Sequence, residues 1–69
     1  MYTIVETDVY GNTYIADDGC IFYLNHSCLG SMSFGSEDMA WTTESELEAE
    51  GMLQRVIEKK GGNHKIIEI

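Results

Sequence analysis

Residues 42–62, TTESELEAEGMLQRVIEKKGG, constrain the fold most, because their start, buried face and stop can all be read from residue types. Thr43 is placed to act as an N-cap, with Glu46 reaching back three residues later, the reciprocal arrangement that satisfies two orphan N–H groups of a first turn. A helix over 44–60 is expected. At 100° per residue, Ala49, Met52, Leu53, Val56 and Ile57 fall within an arc of roughly 140°, with the stem of Lys60 along its edge. That arc faces a core. Glu44, Glu46, Glu48 and Glu50 crowd the positive end of the macrodipole, Lys59 and Lys60 sit at the negative end, and Gly61 suits the left-handed position just past the helix.

Size limits what this helix can pack against. A chain of 69 residues makes one domain, residues 1–69, and buries only about 60% of the surface its unfolded form exposes. A deep enclosed pocket does not fit, which lowers the expectation of enzymatic activity. Twelve acidic residues against four Lys plus Arg give a formal net charge of −8. Such a chain repels nucleic acid and anionic membranes and attracts basic protein surfaces. No apolar run approaches the roughly 20 residues that span a bilayer, and MYTIVETD lacks the charged and apolar regions of a signal peptide. The expectation is a soluble cytoplasmic protein. Cys20 and Cys28 are too few for a secreted disulfide framework and read as reduced, partly buried thiols, a Cys20–Cys28 disulfide being the minority reading.

In chain order, residues 2–9 are rich in Thr, Val, Ile and Tyr and fit a strand. The odd positions Thr3, Val5, Thr7 and Val9 are expected to face the helix, since Glu6 and Asp8 interrupt the other side. Tyr10 to Thr13 make a turn that uses Gly11 and Asn12, and 13–16 resumes as a second strand. Asp17, Asp18 and Gly19 form another tight connection, leading into the apolar run CIFYL over 20–24, the expected central strand. Residues 25–41 are hardest to read. The alternation of Ser31, Met32, Ser33, Phe34 and Gly35 points to a short fourth strand beside 20–24, and Trp41 to a core residue beneath the helix start. The closing HKIIEI, 64–69, makes a last strand that must join the sheet.

Chemical candidates are weak. Cys20, His26, Cys28 and His64 contain the ligand types of a Cys2His2 zinc site, but the loose spacing between the cysteines and the distant His64 argue against one. Cys28 and His26 lack an orienting third group for nucleophilic chemistry. Asp8, Asn12, Asp17 and Asp18 do not follow a calcium-loop pattern, and four glutamates at the helix start repel phosphate. No catalytic residue, metal or cofactor is expected.

The acidic residues are clustered. Asp17 with Asp18, Glu37 with Asp38, and Glu44, Glu48 and Glu50 are candidate electrostatic anchors for a basic partner, by attraction that fades as salt rises. The competing reading of such charge is solubility alone. Leu47 projects opposite the apolar arc, among glutamates and beside Gly51, and offers an apolar contact to a partner; alternatively it is an incidental exposed leucine.

A short chain that opens with MYTIVETD, turns at YGNTY and DDG, enters a helix at WTTESELEAE and closes with GGNHKIIEI resembles the small proteins encoded by bacteriophages and mobile elements. That group includes anti-CRISPR and other anti-defence inhibitors. The resemblance implies a compact acidic inhibitor that blocks a nucleic-acid-binding site or assembly surface of a bacterial immune complex.

The sequence thus leads to an α+β domain in ββββαβ order, with an antiparallel sheet of four or five strands and one amphipathic helix packed on one face. Its expected role is non-enzymatic binding of a basic host protein or nucleoprotein complex, without direct contact to nucleic acid. The rival expectation is self-association, a homodimer paired through an edge strand at 31–35 or 64–69.

Overall fold

The computed structural model describes residues 1–69. The chain forms β1 (Tyr2–Glu6), β2 (Tyr23–Leu24), β3 (Phe34–Gly35), α1 (Glu46–Lys59) and β4 (His64–Glu68), with short 3-10 turns at His26–Cys28 and Glu37–Met39. All strand pairs are antiparallel, and the sheet order is β3-β2-β1-β4. This is an α+β fold in which α1 packs on one face of a four-stranded sheet. The last strand does join the sheet, beside β1, in register from Tyr2 opposite Glu68 to Glu6 opposite His64.

The core lies between this sheet and α1. Ile4, Leu24, Met32, Met52 and Val56 form one buried cluster, with Leu29, Phe34, Trp41, Leu53 and Ile66 packed around it. Each such side chain taken from water stabilises the fold by about 1.5–3 kcal/mol. The face of β1 is the reverse of the expected one: Ile4, not the odd set, meets the helix. Residues 3–5 are apolar or small on both sides, so period-two alternation alone does not choose between them. The pairing chooses, because Ile4 lies opposite Ile66 and Phe34 opposite Leu24, which lines up the large apolar groups beneath α1. Val5 and its partner Tyr23 point to the other face by the pleat, where both are nonetheless buried.

Two expected strands shrink. β1 ends at Glu6 because the Asp8 carboxylate accepts from the N–H groups of Tyr10 and Asn12 at 2.8 and 3.0 Å, a side-chain turn that captures the donors a longer ladder needs. Val9 is consequently exposed. Residues 13–16 contribute only isolated bridges, Thr7 to Thr13 and Ile15 to Ile21, so the expected second strand is absent and the order is βββαβ. Both turns form where read, with Gly11 and Gly19 at φ +85°, but Asn12, expected to share the positive φ of the first turn, does not adopt it. Of the expected strands at 20–24 and 31–35, two residues each are retained. In the second, the buried Met32 takes φ 54°, a left-handed residue that interrupts the alternation.

Residues 40–43 fill the gap where β1 and β2 diverge. Ala40 bridges Asn25 and Thr43 bridges Tyr2, both antiparallel, so the segment folds back on itself between the two strands. Its middle is Trp41, whose N–H donates to the Leu24 carbonyl at 2.7 Å. This wedge moves the helix start. Thr43 is held in the bridge to Tyr2 by bonds of 2.7 and 3.0 Å and is buried, so it does not cap; Ser45 does, its hydroxyl accepting from Glu48 N–H at 3.2 Å. α1 begins at Glu46, and Glu44 precedes it.

Along α1 the buried residues are Ala49, Met52 and Val56, while Ile57, assigned to the core arc by spacing, is 43% exposed. It lies at the rim of the arc, where the small sheet gives it no cover. Lys60 behaves as its position suggests, its ammonium donating to the Met32 carbonyl at 3.3 Å and standing 4.9 Å from the Phe34 ring centroid. Gly61 follows at φ +72°, its N–H turned back onto the Ile57 carbonyl at 3.0 Å.

Candidate interaction surface

The seven acidic residues expected to anchor a partner fall into two separate groups. On α1 the N-cap at Ser45 fixes the rotation of the first turns, and burial of Ala49 and Met52 turns Leu47 to the outside. Leu47 is 80% exposed. Gly51 lies one turn further along the same face, and a Cβ built there would meet nothing within 4 Å. Glu48 and Glu50 flank this face, and Glu44 stands before the helix; all three are exposed. An interior helical glycine costs about 1 kcal/mol against alanine, and here no packing within the chain offsets it. The outer face of α1 therefore presents a bare apolar spot, with backbone open to close approach, bordered by carboxylates.

The second group lies at the loops. Asp17 and Asp18 are exposed in the turn before β2, and Glu37 and Asp38 in the 3-10 turn after β3. A cleft of about 250 Å³, lined by Gly19, Cys20, Ile21, Tyr23, Ser36 and Glu37, joins the two loops. Tyr23 contributes its hydroxyl, which donates to Glu37 Oε2 at 3.3 Å; burial first, then Glu37, pushes the phenol above its ordinary value. Asp18 accepts from Cys20 N–H at 3.1 Å, which lowers its pKa and keeps it ionised. The same carboxylate pushes the Cys20 thiol upward, so this thiol is not an activated nucleophile. Ser36 Oγ donates to Asp38 and fixes that side chain. Because Tyr23 points away from the helix, this cleft opens on the opposite face from Leu47.

The cysteines are both free, Cys28 half-buried as expected but Cys20 exposed, because β2 begins only at Tyr23 and leaves Cys20 in the loop. No three His, Cys, Asp or Glu side chains converge to hold a metal ion. No helix is long and apolar enough to cross a membrane.

Two features escape a reading of the sequence alone. Glu46 and Glu68 converge on Tyr2 and raise its pKa, Glu46 most, which sets Glu46 apart from the outward glutamates. A second hollow of about 310 Å³ lies at the C-terminal end of α1, lined by Glu6, Thr7, Tyr14, Lys60, Gly61, Gly62, Asn63 and His64. The adjacent glycines at 61 and 62, both at positive φ, are its one visible signal in the sequence.

Comparison with protein-family models, with curated proteins and with solved structures finds no match.

Proposed function

We propose that the protein is a non-enzymatic, acidic interaction module whose α1 outer face docks on a basic protein surface. The observation that carries this reading is Leu47, 80% exposed next to Gly51 and bordered by Glu44, Glu48 and Glu50. A small apolar contact within a charged rim is the arrangement that gives an interface both grip and steering. Twelve acids against four bases give a net charge of −8, a field that favours a basic partner. Asp17, Asp18, Glu37 and Asp38 add a second acidic surface on the opposite face.

The partner is a basic host protein or nucleoprotein complex, and the role is inhibition: carboxylates occupy a surface built for phosphates, as the resemblance to small phage and mobile-element inhibitors of bacterial defence implies. Capture from a bacterial host lysate at increasing ionic strength tests it. Basic proteins should be retained at low salt and released as the Debye length falls from about 30 Å at 0.01 M to about 3 Å at 1 M. Retention that does not change with salt would remove charge mimicry as the mechanism.

A further inference from the structure

The outer edge of β4 is open. β1 and β4 exchange hydrogen bonds between Met1 and Ile69, 3.2 and 2.8 Å, and Thr7 N–H donates to Asn63 O at 2.9 Å. In an antiparallel ladder hydrogen-bonded and non-bonded pairs alternate, so residues 63, 65, 67 and 69 spend their backbone groups on β1. His64, Ile66 and Glu68 therefore aim their N–H and C=O groups away from the sheet, a five-residue strand with no proline, bulge or covering loop to block pairing.

We infer that β4 pairs antiparallel with β4 of a second copy of this chain about a two-fold axis at Ile66, placing His64 of each copy opposite Glu68 of the other. The register follows from the backbone and the facing side chains together. Centring on Ile66 uses all three outward residues of each copy, a ladder of six N–H···O bonds. Moving the axis to Lys65 loses two of these bonds and sets Lys65 opposite Lys65. Moving it to Ile67 also loses two and leaves both His64 residues without Glu68. At Ile66, each His64 lies opposite a Glu68 and Lys65 lies opposite Ile67, along which its stem can run. Directly opposite residues point to the same face, so the result is one eight-stranded sheet with both helices on one side. This surface is distinct from the outer face of α1, and pairing leaves that face free.

The test is sedimentation of the full chain over a concentration series at about 0.15 M salt, where a Debye length of about 8 Å screens repulsion between two acidic copies. The wild type should show a monomer–dimer equilibrium, and amide exchange at His64, Ile66 and Glu68 should slow as concentration rises. Glu68→Lys, at an exposed position, removes the carboxylate acceptor that faces each neutral His64 ring and should weaken pairing about tenfold. Glu68→Pro removes an N–H that β1 does not use and should abolish pairing while circular dichroism stays unchanged. A wild type that is monomeric throughout, or pairing that survives Glu68→Pro in a folded chain, would overturn the proposal.

Discussion

Thr3 and Trp41 are tied side chain to backbone: the Thr3 hydroxyl donates to the Trp41 carbonyl at 2.6 Å, while Trp41 N–H bonds the Leu24 carbonyl on the other side. This pair closes the gap between the two inner strands and delivers the chain to the start of α1. Thr3 is fully buried, so its hydroxyl has no water to replace the bond. Thr3→Val keeps the shape and leaves the carbonyl without that donor, and should destabilise the protein by about 1–3 kcal/mol. Urea unfolding followed by Trp41 fluorescence measures this, and an unchanged midpoint would show that the wedge is not held here.

The two faces of α1 should respond to mutation in opposite ways. Met52→Ala empties part of the core and should cost about 2–5 kcal/mol, whereas Leu47→Ala should change stability by no more than about 0.5 kcal/mol. Gly51→Ala, in open space, should raise stability by about 0.5–1 kcal/mol and yet weaken partner capture, because the added methyl group stands on the docking face. Thermal melts paired with capture assays separate these effects. Loss of stability in Leu47→Ala would mean that its side chain is needed by the fold.

Stability should fall on acidification, and the sign follows from two groups. His64 is held below its ordinary 6.5, mainly by burial, with Lys60 lowering it further and Glu6 opposing; its Nδ1 is buried without a partner. The unfolded chain therefore takes up this proton first. The stabilising contribution is complete above pH of about 6.5 and is lost as pH drops through the depressed folded value. Asp18, lowered by the Cys20 N–H, adds a loss below its ordinary 3.8. Melting temperature measured at low protein concentration should be flat above pH of about 7 and decline below it, and His64→Gln should flatten the upper part of the decline. An identical decline in that variant would assign it to other groups.

How far the fold was legible depended on whether local chemistry and tertiary packing agreed. The helix, its buried triad of Ala49, Met52 and Val56, its Gly61 stop and the turns at Gly11 and Gly19 were all readable, because each rests on side-chain periodicity or positive φ within a few residues. Thr43 and Ser45 show the limit. Both are good caps, and the choice between them was made by Tyr2, forty-one positions upstream of Thr43, which draws Thr43 into a bridge. Likewise Ile4 rather than Val5 faces the helix because of Ile66, a pairing that no local pattern encodes. Residues 13–16 had strand composition but lost the ladder to the Asp8 turn. At the surface, exposure of the acidic clusters and of Leu47 could be read from spacing; the cleft joining Gly19 and Cys20 to Glu37 could not, since it arises from two loops brought together by β2 and β3.

The most direct measurement compares capture of the basic partner at fixed low salt by the wild type and by the triple variant Glu44→Gln, Glu48→Gln, Glu50→Gln, after both give the same melting curve. Docking through the charged rim of α1 predicts that the triple variant binds at least about tenfold more weakly, the equivalent of about 1.4 kcal/mol. Equal recovery of the same partner by both proteins would contradict it.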